Sequence, residues 1–316
     1  MKILVTGGAG FIGSHVCDAF LEKGHEVLAL DNLSSGRKEN LDPKVRLIEL
    51  DIRSPEAAAL IERERPEVIC HLAAQMDVRR SVEDPRFDAD TNILGFLNLL
   101  EAARRSGVKK VIFSSTGGAI YGEQDVFPAP ETHPTRPVSP YGVSKAAGEL
   151  YLGYYRAQYG LSYVALRYAN VYGPRQNPHG EAGVVAIFSK RLVAGQPCTI
   201  FGDGGQTRDF VFGPEVARAN YLAFEKDYVG AVNIGTGIET SVNALYQGLA
   251  DAAGTKLPPQ YAPGKPGEQR RSVVDPSLAK KVLGWEPTVP LEEGLRRTIA
   301  FFRAKAQGTP ARSAAS

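Results

Sequence analysis

Two side chains four residues apart, Tyr141 and Lys145 in Ser139-Pro-Tyr-Gly-Val-Ser-Lys145, have the types and spacing for proton transfer. On a helix that spacing puts both on one face, with the ammonium beside the phenol. A free tyrosine has a pKa of about 10 and a neighbouring cation favours the phenolate, so Tyr141 is a candidate general base near neutral pH. A second chemical signal stands at the N-terminus, where Gly7-Gly-Ala-Gly10-Phe-Ile-Gly13 follows the apolar run Lys2 to Thr6 and opens an apolar-periodic stretch from Phe11 to Leu21. Strand, glycine turn and helix in that order make a pyrophosphate cradle, because the first turn of the helix offers unpaired N–H groups. The next apolar strand, Val27 to Leu30, ends in Asp31, 18 residues beyond Gly13. A carboxylate there bonds a ribose diol and repels a 2′-phosphate, which favours NAD over NADP.

The elements that position these groups alternate. Strands at about 45–50, 68–72, 110–115 and 162–168 are separated by helices at about 55–65, 85–106 and 139–159. That order predicts an α/β fold with a doubly wound parallel sheet, whose ligands gather at the C-terminal strand ends. Asp31, Asp51, Ala73, Ala74, Ser115 and Thr116 fall at such ends. Beyond Tyr168 the pattern gives way to proline- and glycine-rich loops with shorter helices near 184–194, 242–253 and 291–303, the mark of a second, smaller lobe across a cleft. The expected division is a dinucleotide-binding domain over 1–168 with a returning segment near 209–240, a substrate lobe over 169–208 and 241–305, and a tail over 306–316.

Composition narrows the field. The chain has 316 residues, 43% hydrophobic and 23% charged, with a formal net charge of +2, and gives no general signal for nucleic acid or membrane. Cys17, Cys70 and Cys198 have neither paired nor metal-like spacing, and His133 and His179 lack partners, so no metal is expected. No apolar run approaches a membrane span, and the chain enters a strand directly; a cytoplasmic setting is the expectation. His71 reads as a packed strand-end histidine, and Arg79-Arg80 and Arg270-Arg271 as surface charge.

The Gly7, Gly10, Gly13 loop, Asp31-Asn-Leu, Leu50-Asp-Ile-Arg53, His71-Leu-Ala-Ala74, Ser114-Ser-Thr116, Tyr141-Gly-Val-Ser-Lys145 and Leu166-Arg-Tyr168 together resemble the extended short-chain dehydrogenases that act on nucleotide sugars. Within that family the chain is most similar to the UDP-hexose 4-epimerases, over about residues 1 to 303. The resemblance implies NAD held by Gly7, Gly10, Phe11, Ile12, Gly13, Asp31, Asn32, Asp51, Ile52, Ala73, Ala74, Gln75, Asn92, Tyr141, Lys145 and Tyr168. It also implies a catalytic set of Tyr141, Lys145 and Thr116. Ala73 and Ala74 have a plain packing role as the alternative, and Asn92 can equally be a helix-packing amide. The family's dehydratases carry an acid directly after the Ser/Thr of the triad, but here Thr116 precedes Gly117-Gly118-Ala119, so elimination is disfavoured and reversible oxidation at C4 remains.

For the UDP-sugar, the resemblance implies contacts from Thr116, Asn170, Phe201, Arg208, Lys265, Glu268 and Ser272. Phe201 flanks the uracil or belongs to the core. Lys265 and Glu268 stand where the epimerases often have arginine and aspartate, and lysine is the weaker phosphate fork. Ser272 takes the place of a bulky tyrosine found in some members, so space for a 2′-N-acetyl group is expected. A homodimer through the helices near 85–106 and 139–159 is also implied, with Phe96, Leu99, Leu100 and Ala103 either in that interface or in the core. Two other readings stay open: a UDP-glucuronate-type epimerase or decarboxylase or another nucleotide-sugar oxidoreductase, and a non-catalytic NAD-sensing module.

Overall fold

The computed structural model describes residues 1–178, 183–264 and 269–309. Six of the seven strands of its main sheet are β1 (Lys2–Thr6), β2 (Glu26–Asp31), β3 (Arg46–Glu49), β4 (Val68–His71), β5 (Lys110–Thr116) and β6 (Ser162–Tyr168). With Gly230–Ile234 at one edge they run in the order Gly230–Ile234, β6, β5, β4, β1, β2, β3, all parallel. The order reverses beside β1, which opens a crevice at the C-terminal strand ends there. The alternation of side chains along a strand is legible in β1: Ile3 and Val5 pack into one apolar layer, Leu4 into the other. Helices Phe11–Glu22 and Gly213–Glu225 cover the first face, and Pro55–Glu64, Gly95–Ser106 and Pro140–Tyr159 cover the second.

Phe96, Leu99, Leu100 and Ala103 are all buried in that second layer, which settles the stripe as core. The single helix expected over 85–106 is instead Pro85–Ala89, a π turn at Asp90–Leu94 and the helix Gly95–Ser106. In the wide turn Asn92 leaves its helix to bond elsewhere, as described below.

The second lobe has its own apolar core, in which the helices Val184–Val193, Val242–Ala253 and Leu291–Ala306 pack with Tyr172, Phe210 and Phe212. Its strands are two or three residues long: Asn170–Tyr172 pairs with Phe210–Phe212, Thr199–Phe201 with Gln260–Ala262, and Thr207–Arg208 with both Thr240–Ser241 and Arg271–Ser272. One part of 241–305 does not stay in this lobe. Ala279 and Leu283, on the helix Ser277–Leu283, and Trp285 pack into the main-sheet core, where the indole N–H donates to Glu215 O at 3.0 Å. The three cysteines are buried and unpaired.

Candidate active site

A cleft of about 880 Å³ runs from the glycine loop to the second lobe. At its floor, Gly7 leaves β1 in the left-handed region (φ +69°), and the helix Phe11–Glu22 starts so close above it that a Cβ on Gly13 would lie 2.0 Å from Gly7 O. Only glycine fits, and the close approach brings Gly7, Gly10, Phe11, Ile12 and Gly13 to the cleft wall. The first turn of the helix carries no acid, which leaves its N–H end to an anion.

Asp31, at the end of β2, is turned in to accept from Ala9 N at 3.0 Å and Leu33 N at 2.8 Å. Burial pushes its carboxyl up, and these backbone bonds oppose that. A carboxylate held by one amide on each oxygen retains a lone pair on each for a diol, and the donor set of the loop fits a dinucleotide. Asp51 is gripped by Arg53 through Nε and Nη2, both at 2.9 Å, and by Asn32 Nδ2 at 3.0 Å, which holds it well below the usual carboxylate range. Asn32, Asp51, Ile52, Ala73, Ala74, Gln75 and Tyr168 all line the cleft.

At the other end, Ser139 caps the helix Pro140–Tyr159 by accepting from Gly142 N at 3.2 Å, with Pro140 in the first turn. Gly148 lets this helix lie against β5, since a Cβ there would sit 2.6 Å from Phe113 Cζ. Tyr141 and Lys145 are thereby presented to the cleft beside Thr116, the last residue of β5. Lys145 Nζ donates to Ser114 O at 2.8 Å and lies 5.8 Å from the centre of the Tyr141 ring. Burial pushes the Lys145 ammonium down to about 8, against the opposing pull of Asp88 and Glu149. Thr116 Oγ1 accepts from Ala119 N at 3.1 Å and heads the short helix Gly117–Ile120. Among the described residues, the acids on the cleft wall are Asp31, Asp51 and Asp77, and none adjoins Thr116 in sequence.

Of the sugar-side residues, Asn170, Phe201 and Arg208 reach the wall from three different short strands. Lys265 and Glu268 lie outside the described residues, as does His179. Two of the residues implied by the resemblance lie off the cleft wall. Ser272 is 3% exposed and off the cleft wall; its strand lies beside Arg208, and its carbonyl accepts from Asp209 N at 3.0 Å. Asn92 is also off the wall: its side chain accepts from Gln75 N and donates to Gln75 O, both at 2.8 Å, so it shapes the Gln75 loop from behind.

Arg79 and Arg80 are exposed, as surface charge is, and Arg80 also borders the cleft, with its guanidinium 4.3 Å from the centre of the Phe87 ring. Arg53 and Gln206 line it too. Arg270 and Arg271 are exposed and tied to Asp203 and Glu239. His71 is packed, with Nδ1 2.8 Å from Thr6 Oγ1. No group of metal ligands occurs among the described residues, and none of their helices is long and apolar enough to cross a membrane.

A doubly wound parallel sheet whose glycine loop and tyrosine–lysine pair open on one cleft defines a short-chain dehydrogenase of the extended class. The chain belongs to the NAD dependent epimerase/dehydratase family, which it matches over residues 3–235. It is 49% identical to the UDP-glucose 4-epimerase of Mycolicibacterium smegmatis, across 97% of this chain and 100% of that protein. Among solved structures it is similar to the UDP-glucose 4-epimerase of Thermotoga maritima with UDP-glucose, at 52% identity and a TM-score of 0.95 over 97% of this chain and 100% of the other. The Thermus thermophilus UDP-glucose 4-epimerase in complex with NAD follows at 48% identity and a TM-score of 0.91, over 96% and 99% of the two chains.

Proposed function

We infer that this chain is an NAD-dependent 4-epimerase that interconverts UDP-galactose and UDP-glucose through a 4-keto sugar. The observation that carries the reading is the Tyr141–Lys145 pair facing the cleft at the end of β5, with no acid adjoining Thr116 to expel a hydroxyl. NAD, when bound, accepts the C4 hydride and later returns it. The glycine loop holds the pyrophosphate, and Asp31 takes the adenosine ribose. Tyr141, as phenolate, removes the proton from the 4-hydroxyl and gives it back after the keto sugar has turned over about its diphosphate link. Lys145 lowers the phenol's pKa, and Thr116 aligns the sugar oxygen. Asn170 and Arg208 bind the diphosphate, and Phe201 flanks the uracil.

The test is to incubate purified protein with UDP-galactose, without added NAD, and follow UDP-glucose by chromatography. Conversion is expected; no conversion even with NAD supplied overturns the reading. With Ser272 behind the wall, room for a 2′-acetamido group is decided by the same assay on UDP-N-acetylgalactosamine. A homodimer accompanies the activity, supported by the exposed apolar side chains Leu94 (58% exposed), at the end of the π turn, and Leu150 (77% exposed), on the helix Pro140–Tyr159. Sedimentation of a monomer at assay concentration would remove that part. A cytoplasmic setting suits three buried, unpaired thiols.

A further inference from the structure

Asp88 has no part in the scheme above, yet its side chain is fully buried (0% exposed) among residues that serve the reacting end of the cleft. It stands on the short helix Pro85–Ala89 and accepts from three side chains: Ser144 Oγ at 2.5 Å, Asn92 Nδ2 at 3.0 Å and Gln75 Nε2 at 3.1 Å. Ser144 immediately precedes Lys145, and Gln75 is on the cleft wall. All three partners are neutral, and among the described residues no cation bonds this carboxylate, so its charge is answered at longer range. A buried carboxylate is tolerated when a nearby positive charge balances it.

The groups around Lys145 single out that balance. From β5, Ser114 O accepts from the ammonium and the Phe113 ring centre lies 4.9 Å away. His71 on β4 is kept neutral, because burial and the lysine charge both push it well below its ordinary value. On the helix Pro140–Tyr159, Tyr141 lies one turn before Lys145 and Glu149 one turn after. Glu149 is already held by Arg167 at 3.0 and 2.6 Å and by Ser115 Oγ at 2.5 Å. Of the two acids that favour the ammonium, Asp88 is therefore the one without a guanidinium of its own.

We propose that Asp88, through Ser144 and its own charge, is a positioning residue that keeps the Lys145 ammonium in place opposite Tyr141. The role of Lys145 toward Tyr141 rests on the proposed function; the charge relation between Asp88 and Lys145 does not. Without the carboxylate the ammonium is more costly, and Lys145 loses its proton at lower pH.

Two readouts test this on the full chain: the pH dependence of UDP-galactose turnover, and the pH dependence of Lys145 acetylation by acetic anhydride in NAD-free protein, quantified by peptide mass spectrometry. In Asp88→Asn the alkaline limb of turnover and the labelling midpoint are both expected to move down by about one pH unit. Asp88→Glu is expected to bring them back toward the parent. A labelling midpoint in Asp88→Asn equal to the parent's overturns the proposal, whatever happens to thermal stability. Should the asparagine variant not fold, Asp88→Ser removes the same charge and is read the same way. If the parent itself turns over no UDP-sugar, the function fails, and the labelling midpoint still decides the role of Asp88.

Discussion

The two ends of the cleft are built by different means. The reacting end takes its groups from long elements: Thr116 closes the seven-residue β5, and Tyr141 and Lys145 share a 20-residue helix packed on it. The sugar wall takes Asn170, Phe201 and Arg208 from strands of two or three residues whose partners are far away in the chain. Rigid backing suits groups that must meet a reacting atom within tenths of an ångström. Short strands on an independent core suit a wall that selects substrates and tolerates change.

If that contrast is functional, substitutions at the two ends should divide kcat from KM. Tyr141→Phe keeps the ring and removes the proton acceptor, and kcat is expected to fall about 10³-fold with KM little changed; a loss below tenfold would break the comparison. Arg208→Ala should raise KM by about 10- to 100-fold, the range of a charged hydrogen bond, with a smaller effect on kcat. Steady-state kinetics in which kcat drops as far as for Tyr141→Phe would place Arg208 at the reacting end instead. Gly13→Ala pushes a Cβ into Gly7 O and should cost about 1–3 kcal/mol, seen as a lower Tm and as NAD lost on gel filtration.

A fourth effect, read as a slope against pH, joins the two ends. His15, on the helix after the glycine loop, has Nε2 3.1 Å from Pro174 O in the loop leading to the second lobe. Burial, with Arg175 adding to it, pushes its imidazole down to about 3. The unfolded chain takes up that proton near pH 6.5 and the folded chain does not, so stability falls on acidification from about 6.5 toward 3. The slope from this group is at most about 1.4 kcal/mol per pH unit, and His15→Gln should flatten a plot of Tm against pH in that window. An unchanged slope would mean that the histidine is not held neutral.

The same contrast explains what could be read from residues alone. Gly7 to Gly13, Asp31, Tyr141 and Lys145 are legible because their roles follow from spacing within one turn, one helix or one strand end. The surroundings of Ser272 and Asn92 are not legible in the same way, because they come from distant segments. Ser272 is set by pairing with Thr207–Arg208, and Asn92 by a π turn that aims its amide at Gln75 rather than at the cleft. Arg80 is exposed surface charge, as its sequence suggests, and only the fold shows that it lies over Phe87 beside the cleft. Trp285 belongs to the sheet despite its position near the end of the chain, because its apolar surface and indole N–H are both satisfied under the helix Gly213–Glu225.

That late arrival bears on how the protein is made. A nascent chain that has emerged only as far as Tyr168 lacks the edge strand Gly230–Ile234, the helix Gly213–Glu225 and the Trp285 plug, so β6 and one apolar layer stand open to solvent. A gene fragment ending at residue 168 should therefore yield aggregated material, although it encodes every residue assigned to the dinucleotide. Exchanging the sugar lobe between relatives likewise means exchanging separate segments of chain, because after Phe212 the chain passes back to the main sheet as the helix Gly213–Glu225 and the strand Gly230–Ile234 before it rejoins the lobe.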